Sequence, residues 1–268
     1  MTSQNRIFHC KSIEDISRLS RIKRVIGEGG VALGAVILLG DPVVAEIAGL
    51  SGLDFVWIDA EHGLFNPETI RNMVMAAASA DCAAMVRVRG NDANLFKPVL
   101  DINPAGVIIP MVKSPEEAEA AVAACRYPTA GIRGCGIRRG RGYGIIPLRE
   151  YFRQSSDAPW VIPQIEHVDA VAKLDRILAV PGISSICVGP CDLAASMGCI
   201  NDMEAPEVNR VIDEICLKVK KAGLPLGTAS GNLPRWKERG IDWFASPTDY
   251  SLLSSGFTAF RKSAEECK

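Results

Sequence analysis

The chain carries no surplus of either charge: 30 Lys and Arg face 31 Asp and Glu, for a formal net charge of −1. Proteins that hold nucleic acid or an anionic membrane through their overall field need a basic excess, so this balance argues against both. Histidine is scarce, with three residues, and the nine cysteines are odd in number with no Cys-x-x-Cys pair. That pattern argues against a zinc ribbon and against a disulfide framework. Cys82, Cys125 and Cys187 lie in apolar stretches, as core thiols do in a reducing cytoplasm. No apolar run reaches the ~20 residues needed to cross a bilayer, and residues 1–30 carry charge throughout, unlike a signal peptide. A nucleotide-binding fingerprint is missing too. Gly140-Arg141-Gly142-Tyr143-Gly144 lacks the strand before and the helix after that a phosphate loop requires.

What is present is core. Of 268 residues 48% are hydrophobic, enough for one large α/β domain. Short apolar runs and amphipathic stretches alternate from end to end. The runs predict strands at 31–39, 55–59, 83–88, 106–112, 160–166, 184–189, 224–230 and 243–246. Helices are expected at 42–50, 67–80, 93–102, 115–125, 168–178, 206–222 and 233–239, with a last one at 250–266. Ser114-Pro115-Glu116-Glu117 and Asn66-Pro67-Glu68 read as helix starts, and Gly223 and Gly240 as left-handed helix ends. The strands are apolar without alternation, as in a parallel sheet covered on both faces. Eight βα units point to a single-domain (β/α)₈ barrel over 31–268, preceded by a leading segment or helix over 1–30. An open doubly wound sheet is the alternative.

The segment 129–147, dominated by glycine and arginine, breaks this rhythm. Its length suggests a functional loop or lid, whose Arg138-Arg139-Gly140-Arg141 stretch would meet an acidic substrate tail and whose Tyr143 would reach the pocket.

In such barrels the C-terminal strand ends carry the active site. Those ends hold Asp59, Glu61 and His62, then Arg87 and Arg89, then Gln164 and Glu166, then Asp192. Glu166 and Asp192 close neighbouring strands. Two carboxylates converging on one rim call for a cation, and oxygen-only ligands favour a hard ion, Mg²⁺ first, with Mn²⁺ or Co²⁺ also possible. A metal, a guanidinium and an imidazole on one rim suit chemistry through the enolate of a 2-oxo acid. Arg87 is favoured over Arg89 because Arg89 lies farther into the loop, although strand alternation sends both to one face. His167 reads as the start of a helix rather than a ligand.

Six motifs carry a family resemblance: FVWIDAEHG from Phe55, MVRVRGND from Met85, GVIIPMV from Gly106, RYPTAGIRG from Arg126, PQIE from Pro163 and VGPCDLAASMG from Val188. Together they resemble the HpcH/HpaI aldolase/citrate lyase-β family, the metal-dependent class II pyruvate aldolases such as 4-hydroxy-2-oxoheptanedioate aldolase. The resemblance implies reversible cleavage of a 4-hydroxy-2-oxo acid to pyruvate and an aldehyde through a metal-bound pyruvate enolate. It implies Glu166 and Asp192 as metal ligands, His62 as general acid–base and Arg87 as the enolate-stabilising group. Gln164, Asp192 and the backbone N–H of Cys191 would contact substrate. Asp59 would orient His62, and Asp101 would support that histidine across a subunit contact. A homo-oligomer is implied as well, a hexamer built as a trimer of dimers with an exchanged C-terminal helix.

Cys191 stands where many relatives of that kind carry a small alanine, and reads as a bulkier pocket wall. The stretches 228–232 and 246–249 also depart from the better-known aldolases, at the place where the aldehyde end would sit. Three other readings share the fold. One is a Schiff-base aldolase using Lys113. Another is a citrate-synthase-like or oxaloacetate-decarboxylating enzyme using the same enolate site, and the last is a catalytically silent barrel.

Overall fold

A computed structural model describes residues 12–266; residues 1–11 of the expected leading segment, and 267–268, lie outside them. Two short helices come first, α1 (Ile13–Ser17) and α2 (Leu19–Gly27). The βα units then run β1 (Ala32–Ile37), α3 (Pro42–Leu50), β2 (Phe55–Asp59), α4 (Pro67–Ser79), β3 (Ala83–Arg87), α5 (Ala93–Ile102), β4 (Gly106–Ile109) and α6 (Pro115–Cys125). After a 3₁₀ turn (Arg139–Gly144) come α7 (Leu148–Gln154), β5 (Trp160–Ile165), α8 (Val168–Ala172), α9 (Leu174–Leu178), β6 (Ile186–Val188) and α10 (Pro190–Ser196). The chain closes with α11 (Pro206–Lys221), β7 (Leu226–Thr228), α12 (Leu233–Glu238), β8 (Trp243–Thr248) and α13 (Asp249–Glu266). The strands form a closed barrel in sequence order, all parallel, with β8 returning to β1. The fold is a (β/α)₈ barrel.

Local chemistry accounts for many of the helix starts. Asp41, Asn66, Asp92 and Ser114 each accept a hydrogen bond from a backbone N–H of the helix they precede. His167 does the same for α8 through Nδ1, 3.1 Å from the Asp169 amide, which places it at a helix cap. Gly223 and Gly240 take the left-handed conformation expected of helix ends. Two details differ from the sequence reading. The helix expected at 168–178 divides at Lys173, and β6 is followed by α10, which the apolar pattern had hidden. Pro190 at its first turn was the available signal.

Side chains alternate along each strand between two cores. Val56, Ile58, Val86, Val107 and Val161 face the helices. Phe55, Trp57, Met85, Ile108, Trp160, Ile162 and Trp243 fill the barrel interior. Trp243 lies edge-on to Phe55 at 5.9 Å and donates from Nε1 to Ser185 Oγ at 2.8 Å. It occupies the space beside Gly227, where a Cβ would come within 1.8 Å of the indole.

Helices α1 and α2 close the floor of the barrel: Ile13, Leu19 and Ile22 are fully buried against the interior aromatics. The Gly/Arg segment belongs to the same end. It connects α6 to β5, so it lies at the strands' N-terminal face, not over the C-terminal rim. Arg139 donates to the carbonyls of Ile102 and Asn103 at the C-terminus of α5 and of Ile16 in α1. Tyr143 is largely exposed there. Within the chain the segment is thus a floor clamp that neutralises helix-end carbonyls, and the lid expectation is corrected.

Candidate active site at the C-terminal rim

The inward alternation that places Phe55 and Trp57 in the core brings the next residue of that face, Asp59, to the top of β2. Arg87 ends β3 directly beside it, since the two are paired in the parallel register. The guanidinium grips the carboxylate with two hydrogen bonds, Nε to Oδ1 at 2.9 Å and Nη2 to Oδ2 at 2.5 Å. Both groups are buried, and a paired, bidentate ion is the form in which such burial is tolerated. The remaining guanidinium edge lies 2.9 Å from Glu61 Oε2, and the ring of Trp57 lies 5.3 Å beneath its carbon. Arg87 is thereby held rigid, with its charge facing the cavity.

Asp59 also accepts from the backbone amides of Glu61 and His62 at 3.1 and 3.3 Å. It therefore positions the peptide that carries the histidine, while the imidazole itself is 65% exposed, with Nε2 3.9 Å from Glu61 Oε2. Arg89, beyond the end of β3, escapes strand alternation. Its guanidinium donates to the carbonyls of Ala60 and Phe65 and braces the β2–α4 loop.

Glu166, just past β5, is the most deeply buried acid of the set, at 1% exposure. Its Oε1 accepts from the Met111 amide at 2.7 Å, and its Oε2 from Gln164 Nε2 at 2.6 Å. Met111 reaches it from a left-handed backbone (φ 55°), a conformation that costs a non-glycine residue energy and recurs at functional sites. Gly189 makes the approach possible, because a Cβ there would sit 2.3 Å from Glu166 Oε2. Burial pushes the Glu166 carboxyl up to about 7; the nearby acids Asp192 and Glu61 add to this, and the Met111 amide and Arg87 oppose it. Burial likewise raises Glu61, with Arg87 and His62 pulling the other way. Asp192, in the first turn of α10, is exposed to the cavity.

These groups surround a cavity of about 230 Å³ walled by Asp59, His62, Arg87, Gln164, Cys191 and Asp192. Glu166 lies behind Gln164 and Gly189, both of which face the cavity. Leu38, Ala229, Ser230 and Thr248 supply the opposite wall. No lysine lines it among the described residues, and Lys113, the Schiff-base candidate, stays outside. Asp101 is also elsewhere. It occupies the last turn of α5 at the barrel floor, where burial raises its carboxyl and Arg133, 4.0 Å away, acts against that.

The donor set fits a hard divalent ion. Among the described residues no group of three His, Cys, Asp or Glu side chains is placed to enclose a metal. Two carboxylates with room for waters and substrate oxygens are the arrangement such ions use. Glu166, whose ionisation is opposed by burial and by two nearby acids, is a group that a cation would relieve. The buried Oε1 of Gln164 has no hydrogen-bond partner and is a further oxygen in the same corner.

Two residues on the rim escaped assignment in the sequence. Glu61 has a place on the rim in the sequence but no role there, although it touches both Arg87 and His62. Ser230, 3.9 Å from Cys191 Sγ, carried no signal beyond its place in a divergent loop.

The family model for HpcH/HpaI aldolase/citrate lyase matches residues 36–235. A 5-keto-4-deoxy-D-glucarate aldolase of Klebsiella pneumoniae is 33% identical over 240 residues, 88% of this chain and 93% of that protein. A 4-hydroxy-2-oxo-heptane-1,7-dioate aldolase of Salmonella paratyphi C is 35% identical over 88% of this chain and 91% of its own length. Among solved structures, the citrate synthase SbnG superposes with a TM-score of 0.82 at 27% identity, covering 91% of this chain and 97% of that one.

Proposed function

The chain belongs to the HpcH/HpaI aldolase/citrate lyase family, and we propose that it is a divalent-metal-dependent aldolase cleaving a 4-hydroxy-2-oxo acid reversibly to pyruvate and an aldehyde. The observation that carries this reading is one cavity holding Arg87, His62, Gln164 and Asp192 over the buried Glu166, with no lysine among the described residues that line it.

Glu166 and Asp192 would hold the ion, Mg²⁺ by preference, with Mn²⁺ or Co²⁺ as substitutes. When bound, the ion supplies Lewis-acid polarisation of the 2-oxo acid. Arg87, fixed by Asp59, faces the oxygen on which negative charge grows and lowers the energy of the enolate. In cleavage, His62 takes the proton of the 4-hydroxyl while the C3–C4 bond breaks. The bonding pair stays on C3 as the enolate, the oxygen becomes the aldehyde carbonyl, and a proton returned to C3 gives pyruvate. Gln164 and the Cys191 amide would orient the keto acid, and Asp59 would set His62 through its backbone. In this reading the floor carboxylate Asp101 serves the histidine of a neighbouring subunit. Helix α13, whose Leu252, Leu253, Phe257 and Phe260 lie exposed, would be exchanged within a trimer-of-dimers hexamer.

No helix among the described residues is long and apolar enough to cross a membrane. The seven described cysteines are all free, in keeping with a reducing cytoplasm.

Deuterium exchange into the pyruvate methyl group, followed by proton NMR, tests the core of the proposal. Exchange should require Mg²⁺ or Mn²⁺, stop with chelator and vanish in Glu166→Gln. Chelator-resistant exchange trapped by borohydride would refute it. The likeness to a citrate synthase favours a second reading, in which the same enolate attacks oxaloacetate. Oxaloacetate consumed without aldehyde turnover would identify it.

A further inference from the structure

A second cavity, of about 430 Å³, adjoins the first and shares its Pro190, Cys191 and Ser230 walls. The Cys191 thiol and the Ser230 hydroxyl, 3.9 Å apart, form the sill between them. Beyond the sill the groove runs between the α10–α11 connection and the loop that opens α12. Its sides are Met203 and Ile212 on one hand and Asn232 and Trp236 on the other.

Each guanidinium of this groove has a carboxylate partner. Arg235 is paired with Glu204. Arg239 donates to Asp213 at 2.7 Å and to Asn209 at 2.9 Å, and stacks 4.9 Å over Trp236. A carboxylate entering here would meet Glu204 beside Arg235, while Arg239 is held by Asp213, Asn209 and the face of Trp236. The groups left for a guest are neutral. Asn232 precedes α12 without capping it, so its amide is not used by the helix it introduces. Among the described residues the Ser230 hydroxyl has the weak sulfur contact alone.

Resting on the enolate reading above, we propose that this groove receives the distal end of the aldehyde partner, and that the guest is an uncharged, hydroxylated chain rather than a carboxylate-terminated one. The reacting carbonyl stays beside His62 and Arg87. The tail crosses the Cys191–Ser230 sill, and its hydroxyls bond to Ser230 and Asn232, while Met203 and Ile212 pack against its carbon face.

The test measures aldol addition of pyruvate to glyceraldehyde, to propanal (the same chain without hydroxyls) and to succinic semialdehyde, with Mn²⁺ present. Pyruvate methyl deuterium exchange is recorded in parallel. The wild type should favour glyceraldehyde over both others in kcat/KM. Asn232→Ala should cut the glyceraldehyde-to-propanal ratio by roughly three- to tenfold, the loss of about one hydrogen bond, mainly through KM. Met203→Trp, at a position 45% exposed on the groove wall, should fill the groove and lower glyceraldehyde turnover. Exchange should be unchanged in both variants. Wild-type preference for succinic semialdehyde, or a ratio unmoved by both variants while exchange persists, would overturn the groove assignment alone. Absence of exchange in the wild type would remove the enolate reading and this inference with it.

Discussion

Glu166→Gln should make the metal-free protein more stable at pH 8 and the metal-loaded protein less so. In the folded chain the Glu166 carboxyl is pushed up to about 7 from an ordinary 4.5. Below the ordinary value the acid is protonated in both folded and unfolded chains and exacts no penalty. As the pH climbs through about 7, the folded state must accept a buried charge that the unfolded state carries freely, and stability is lost. At about 1.4 kcal/mol per tenfold change in equilibrium, that gap corresponds to roughly 3 kcal/mol at pH 8. Glutamine keeps the oxygen that accepts from Met111. Its new NH₂ group faces Gln164 Nε2, and Gln164 can turn over to offer its unpartnered oxygen, so little packing is lost. In EDTA the variant should therefore melt about 6–12 °C above the wild type at pH 8, taking about 2–4 °C per kcal/mol for a domain of this size, and level with it near pH 4.5. Saturating Mn²⁺ at about a thousand times its Kd should add ~4.1 kcal/mol to the wild type only, lifting it above the variant. Thermal unfolding of both proteins followed by circular dichroism, at pH 4.5 and 8, with chelator and with Mn²⁺, gives the comparison. Equal melting temperatures in EDTA at pH 8 would refute the burial argument. An Mn²⁺ gain as large in the variant would refute the ligand assignment.

Arg87→Ala should cost about 2.7–4 kcal/mol of transition-state stabilisation, by analogy with losing an oxyanion donor, and should also destabilise the fold by leaving Asp59 buried without its partner; kcat/KM and urea midpoints separate the two effects. His62→Ala should slow aldol cleavage by about 10²–10⁴-fold while leaving Mn²⁺ affinity unchanged by titration calorimetry. Paired substitution of Phe257 and Phe260 by Asp should shift the assembly to a smaller species in light scattering, if α13 is the exchanged element. Gly227→Ala should prevent or severely weaken folding, because no rearrangement of a side-chain tip can clear the indole of Trp243; a normal urea midpoint would contradict this packing.

The elements and the barrel were legible because the signals that specify them are local. A cap such as Ser114 bonds three residues away, and an apolar run buried on both faces needs no knowledge of its neighbours. The rim residues were legible for the same reason. Once the strands and their direction are known, inward alternation carries Asp59, Arg87 and Gln164 to one end.

Only the tertiary structure decided what depends on which distant segments meet. The Gly/Arg segment looked like a lid, but a connection from a helix back to a strand ends at the floor, where Arg139 finds the carbonyls of α5 and α1. Asp101 went to the floor by the same topology. Glu61 acquired partners only when β2 and β3 aligned, and Glu166 became a perturbed acid only when Gly189 let a neighbouring strand close over it. The sequence by itself determined the local hydrogen bonds, the periodicity and therefore the architecture. Closure of the barrel set burial, and burial determines how strongly each charge on the rim is felt.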